Sequence, residues 1–290
     1  MQVERLTQQP ILSTTSHPAA GDNINGPSLV RVPEWVDQPL GRYYLYFAHH
    51  NGRCINMAYA DSLTGPWQVL DGGVLSLQAS GFRGHIASPD VHVDHRHQRM
   101  RMYFHGCDTD TDVDTPQHTR LSESINGVAF STTTDNLGHS YWRVFEHDNA
   151  VYTLEMPGII KRAESVSGPF QTGPALFSYR MRHSALAVRG NRLDVFYSNV
   201  GDNPESILHA TVDITGDWQH WRAGPETVVL SPQGSHEGAG CAAVPSVRGM
   251  ATVPVHQLRD PALFEENGQW YLLYSVAGEQ GIGIARIIDF

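Results

Sequence analysis

One corner is written four times in this chain. ADSLTGPWQ (Ala60–Gln68) returns as AESVSGPFQ (Ala163–Gln171), and SESINGVAF (Ser122–Phe130) and TVDITGDWQ (Thr211–Gln219) are looser copies. The residues ahead of each corner repeat too. SLVRV, YYLYFAHH and INMAYA precede the first copy, PDVHVD and MRMYFHG the second in chain order. WRVFE, AVYTLEM and GIIKRA precede the third, and SALAV, RLDVFYSN and ILHATV the fourth. A fifth unit, PALFE, WYLLYSVAG and GIGIARI, reaches Phe290 without its corner.

Short alternating runs rich in Tyr, Phe, Val and Ile, broken at Asn, Gly and Asp, are the pattern of antiparallel strands. A unit of four such strands cannot bury both faces alone, and its regular repetition marks propeller blades. The chain is therefore expected to be all-β, a five-bladed β-propeller forming a single domain over residues 1–290. The fifth unit lacks a fourth strand, and RLTQQPIL (Arg5–Leu12) is a spare one. The N-terminal strand should thus complete the last blade and close the ring, which removes the open sheet edges. A β-sandwich of similar hairpins gives no reason for one corner to recur in register.

The phrases YYLYFAHHNGRCINMAYADSLTGPW, ASPDVHVDHRHQRMRMYF and LRDPALFEENGQWYLLYS carry a resemblance to the five-bladed propellers of glycoside hydrolase family 43 and its relatives. It extends over nearly the whole chain. That resemblance implies an Asp base at the start of blade one, an Asp that tunes the site at the start of blade two, and a Glu acid at the start of blade three. This sequence has Asn25 at the first position, Asp90 at the second and Arg143 at the third. Asparagine cannot take a proton from water, so other carboxylates must act or the reaction must differ.

In a blade, the start of strand one and the end of strand two share a rim of the central channel. Reading those positions across the repeat gathers Asn25, Asp90, Arg143, His183 and Asp260 with His105 and Glu155, and the adjoining loops add Asp202, Glu205 and Glu279. Glu155 follows the apolar run AVYTL, surroundings that disfavour a charged carboxylate and suit a proton donor. Glu155 is thus the expected acid, with Asp90 or Asp260 as base or electrostatic partner. Asn25, His92, His105, Arg182, His183, Asp202, Glu205 and Arg259 are the expected substrate contacts, the arginines being matched to carboxylates or hydroxyls.

The expected partner is a small carbohydrate in an axial pocket, and the expected reaction is glycoside hydrolysis. Two alternatives stand beside it: a lyase acting on a uronic-acid sugar through His and Arg, and a sugar-binding propeller without catalysis. A net charge of −10 argues against nucleic acid, and no apolar run is long enough for a membrane span. Three cysteines without C-x-x-C spacing suggest free thiols and a cytoplasmic chain. The chemistry requires no cofactor. A structural cation assembled across blades would fit the channel histidines; CDTDTDVDTPQH (Cys107–His118), without the Gly and distal Glu of a calcium loop, reads as an acidic surface loop. The sequence leaves the oligomeric state open.

Overall fold

In the computed structural model, which describes residues 1–50, 52–109 and 116–290, five antiparallel sheets surround a central axis. Blade one runs Asn25–Arg31, Tyr43–Ala48, Cys54–Ala60 and Gln68–Val69 outward from the axis. Blade two runs Ile86–Asp94, Arg99–Cys107, Gln117–Ser124 and Ser131–Thr132, and blade three Trp142–His147, Ala150–Glu155, Ile159–Ala163 and Gln171–Ala175. Blade four comprises Met181–Arg189, Arg192–Asn199, Ile207–Asp213 and Thr227–Leu230. Blade five comprises Arg259–Glu266, Gln269–Val276, Gly281–Ile287 and, from the other end of the chain, Val3–Arg5. Positions 110–115, the middle of the expected acidic loop, lie outside the described residues. Among the described residues no helix is long and apolar enough to cross a membrane, and no disulfide joins Cys54, Cys107 and Cys241.

The repeated corner answers a geometric need at each outer turn. Its glycines Gly65, Gly127, Gly168 and Gly216 have φ of 86°, 76°, 81° and 68°, a region that a Cβ makes costly. The corner then docks on the preceding blade. Tyr46 of blade one donates its hydroxyl to Gly127 O at 2.8 Å, and Tyr103 of blade two donates to Val166 O at 2.7 Å. Trp218, from the fourth corner, meets Tyr152 of blade three edge-on. A corner that turns the chain and ties two blades must recur wherever blades meet.

Five apolar clusters fill the spaces between adjacent blades. Between blades one and two, Tyr44, Tyr46 and Met57 pack on Ile86, Met100 and Phe104; between five and one, Leu45 and Phe47 pack on Leu273, Ile282 and Ile284. The second cluster includes Leu12 from the N-terminal segment. Closure is therefore made as expected, but its strand bounds differ. Val3–Arg5 pairs with Ala285–Ile287, and Leu12–Ser13 pairs separately with Gly281–Ile282. The expected continuous strand Arg5–Leu12 is split because Thr7 turns back on Gln9 O at 2.7 Å and Pro10 lacks an N–H for the ladder.

Candidate functional site

At the entry to each inner strand one residue adopts left-handed backbone geometry: Gly26, Ser88, Tyr141, His183 and Asp260, with φ of 56°, 50°, 61°, 47° and 47°. The pairing register slips at this point in four blades, between Asn25 and Ser28, Ala87 and Asp90, Arg182 and Ser184, and Arg259 and Ala262. Such bulges re-aim a side chain out of the strand's alternation. A non-glycine residue there carries about 1 kcal/mol or more of strain. Four of the five, all but Gly26, line one axial cavity of about 540 Å³.

Asp260 is one of the buried carboxyls that line that cavity. Its side chain is 1% exposed, Oδ1 accepts the Tyr141 hydroxyl at 2.8 Å, and His183 Nδ1 lies 3.1 Å from the same oxygen. Oδ2 is buried and has no protein partner. Burial first, and the charge of Glu279 second, push the Asp260 carboxyl up to about 6, against the Tyr141 hydrogen bond and the charges of Arg259 and Arg182. Glu279 accepts from Arg259 Nη1 at 3.0 Å and lies 2.8 Å from His50 Nδ1. Burial works against charge on His50, but Glu279 more than offsets it and holds the imidazole above its ordinary value. Burial, reinforced by neighbouring cations, holds His105 and His183 well below theirs. These two imidazoles are neutral at neutral pH. Orphaned buried atoms concentrate here: Asn25 Oδ1, His105 Nδ1 and Asp260 Oδ2 all lack a protein partner, the condition under which a polar ligand gains most.

Of the expected site residues, Asn25, His105, Glu155, Arg182, His183 and Asp260 line this cavity. The others are placed elsewhere. Asp90 lies further along the axis, in a separate space of about 210 Å³ with Arg143 and His92. Its Oδ2 accepts from Val144 N and pairs with His92 Nε2, each at 2.9 Å. Burial raises the Asp90 carboxyl, yet His92 and Arg143 outweigh burial and hold it below its usual range. Asp90 and His92 are thus a structural pair beneath the site, because the bulge puts Ser88 at blade two's inward position. Glu205 is buried behind the wall, clamping Arg182 through bonds of 2.9 and 2.6 Å and accepting Ser198 Oγ at 2.7 Å. Arg259 is turned to Glu279 and Gln257 and does not reach the cavity surface. Asp202 pairs with Arg180 outside it.

Glu155 reaches the cavity wall, where one of its oxygens is committed to protein donors. Its Oε2 accepts His139 N at 2.7 Å and Trp142 Nε1 at 2.9 Å, and Lys161 Nζ sits at 3.0 Å. Three donors thus converge on Oε2 and hold the carboxylate in place. Glu155→Gln should therefore act chiefly on stability, costing roughly 3 kcal/mol because a buried ammonium loses its counter-charge. Thermal melts beside steady-state turnover check this: the melting temperature should fall while turnover holds within about tenfold, short of the loss expected of a general acid.

Ser88, Tyr141, His50 and Arg248 also line the cavity and were not among the expected contacts. Tyr141 packs against His183 with ring centroids 4.7 Å apart and against His105 at 5.7 Å. Among the described residues no cluster of His, Cys, Asp and Glu is disposed to hold a metal.

No protein-family model matches the chain. An uncharacterized protein of Acanthamoeba polyphaga mimivirus is 32% identical over a 325-residue alignment that covers 98% of this chain and 90% of its own. Among solved structures, one from glycoside hydrolase family 130 superposes with a TM-score of 0.69 at 12% identity, covering 99% of this chain and 94% of that one. That family of mannoside phosphorylases contains glycoside hydrolases that target β-1,2 mannosidic linkages in Candida mannan. A family 43 β-xylosidase/α-arabinofuranosidase from a compost microbial metagenome gives 0.64 at 12% identity, covering 99% and 95%. A thermostable family 43 glycoside hydrolase gives 0.62 at 14%, covering 92% and 90%. At these identities the likeness shows a shared propeller fold.

Proposed function

The chain belongs to one family with the mimivirus protein, and from the geometry of its axial cavity we propose that it is a carbohydrate-active enzyme that cleaves a glycosidic bond. The observation that carries this is Asp260: a buried carboxyl on the cavity floor, its Oδ2 unpartnered and its pKa pushed up to about 6. A carboxyl of that kind is protonated often enough near neutrality to give a proton to a leaving oxygen. Tyr141 holds it from one side through the 2.8 Å bond. Glu279, fixed by Arg259 and His50, is the second carboxylate of the floor and the natural partner for an attacking water. Asn25, His105 and His183 offer polar atoms to sugar hydroxyls. The propellers of families 43 and 130, which include glycoside hydrolases, support the same class of substrate.

A second reading rests on the contact of His183 with both Tyr141 and Asp260. A neutral imidazole beside a phenol is suited to removing a proton from the carbon next to a uronate carboxylate, followed by elimination. Incubation with neutral and uronic-acid oligosaccharides separates the two. New reducing ends without ultraviolet absorbance are the expected result; absorbance from an unsaturated product would establish elimination. Binding without either product would leave a lectin-like propeller.

A further inference from the structure

The mouth of the cavity is shaped by the long connection between blades four and five, residues 231–258, which contributes Arg248 and Gly249 to the lining. Its backbone is pinned on both sides of Arg248 by the two buried arginines that precede the left-handed residues. Arg182 Nη1 donates to Val247 O at 3.3 Å, and Arg259 Nη1 to Gly249 O at 3.0 Å. One residue earlier, Ser246 N donates to Asp202 O at 3.0 Å and Ser246 O accepts Gly201 N at 3.1 Å. The segment that presents Arg248 is thus tied to the same side chains that shape the floor.

Arg248 is exposed, and its guanidinium is committed only lightly. Nη2 donates to Tyr179 O at 2.9 Å and Nη1 lies 4.0 Å from Met156 Sδ. Among the described residues no carboxylate pairs with it. The other arginine of the wall, Arg182, is already matched by Glu205 at 2.6 Å. The floor, by contrast, holds Asp260 and Glu279. A negatively charged substituent would be repelled there and attracted at the mouth, where a planar guanidinium has donors left for bidentate capture. The cavity volume of about 540 Å³ is in the range of ligands larger than one sugar ring, so a substrate seated on Asp260 extends to Arg248.

We propose that Arg248 selects the substrate: it receives the carboxylate of an acidic saccharide of two or more rings, whose scissile bond lies over the floor. This deepens the reading of the cavity as a saccharide site and rests on it.

The test is calorimetric binding and turnover with uronic-acid trisaccharides and the matching neutral trisaccharides, for the parent protein, Arg248→Gln and Arg248→Lys. The parent should prefer the acidic series. Arg248→Gln should reduce that preference by about tenfold to a hundredfold, the range of a charge-assisted hydrogen-bonded pair, mostly in Kd and KM. Arg248→Lys should restore part of it, since an ammonium keeps the charge without the fork. An unchanged melting temperature shows that the variants fold. Equal use of acidic and neutral sugars by the parent, or an equal effect of Arg248→Gln on both, overturns the role of Arg248 and leaves the saccharide reading standing. Failure of the parent to bind or cleave either series overturns the saccharide reading and this inference with it.

Discussion

Replacing Asp260 with Asn should lower turnover by roughly a hundredfold or more, the scale that general acid catalysis supplies, and should make the protein more stable at neutral pH. Asparagine is the informative substitution because it tolerates the left-handed φ of 47° and still accepts the Tyr141 hydroxyl. What it removes is the titrating proton. Folding raises the Asp260 carboxyl from 3.8 to about 6, so the folded state binds its proton more tightly than the unfolded chain does. The stability linked to that proton is fully present below about 3.8 and is lost as pH rises through about 6. The Asn variant has no such loss. Its melting temperature should therefore exceed the parent's at pH 7 and converge on it toward pH 4. Parent turnover should decline on the alkaline side of a pKa near 6, where Asp260 surrenders its proton. Full turnover in Asp260→Asn would remove Asp260 from the chemistry; lost turnover without the stability gain would mean that the buried charge is better compensated than the geometry shows.

Why Asp260 could be found in the sequence and Ser88 and Tyr141 could not comes down to two positions along the strand, Ser88 against Asp90 and Tyr141 against Arg143. The corner glycines and the alternating strands repeat openly, so the blades, their order and the closing of the ring were legible. Alternation along a strand places its inward residues at every second position from the strand's start. A bulge breaks that count, because the left-handed residue spends one position turning inward. Aligning the X-Pro steps Gly26-Pro27, Ser88-Pro89 and Asp260-Pro261 would have put Ser88 rather than Asp90 beside Asp260. Blade three has no proline at this step, so nothing in its sequence marks that Tyr141, not Arg143, takes the inward place. At Glu155 the sequence signal is incomplete for a different reason. Its apolar neighbours in sequence suggested an uncompensated carboxylate, but Lys161 and the Trp142 indole reach it from the strands on either side. His50 lies two residues past the end of its strand Tyr43–Ala48, beyond the positions that the repeat compares, and Arg248 belongs to a connection without a repeat partner.

Deleting residues 1–13 should cost the protein its cooperative unfolding, or lower its melting temperature by well over ten degrees at about 2–4 °C per kcal/mol for a chain of this size. The deletion does more than shorten a sheet. It strips Val3–Arg5 and Leu12–Ser13 from Gly281–Ile287, which leaves blade five with an unpaired edge, and it removes Leu12 from the cluster between blades five and one. It also takes away Arg5. That guanidinium grips Glu237 through two bonds of 2.7 Å and bonds to Ser231 O at 2.7 Å. Glu237 is fully buried, also accepts the Tyr274 hydroxyl at 3.0 Å, and belongs to the same connection that carries Arg248. A buried carboxylate stripped of its cation costs about 3–5 kcal/mol by itself. Arg5→Ala isolates that share. Burial raises the Glu237 carboxyl but Arg5 outweighs it, so the folded value lies below 4.5. The stabilisation from the pair is present above about 4.5 and fades as pH falls through the lowered folded value. The melting difference between parent and Arg5→Ala should therefore be large at pH 7 and shrink in acid. Calorimetric scans across pH measure both effects. A truncated protein that melts like the parent would show that the ring holds without its N-terminal clasp; a pH-independent Arg5→Ala difference would assign the clasp to packing rather than to charge.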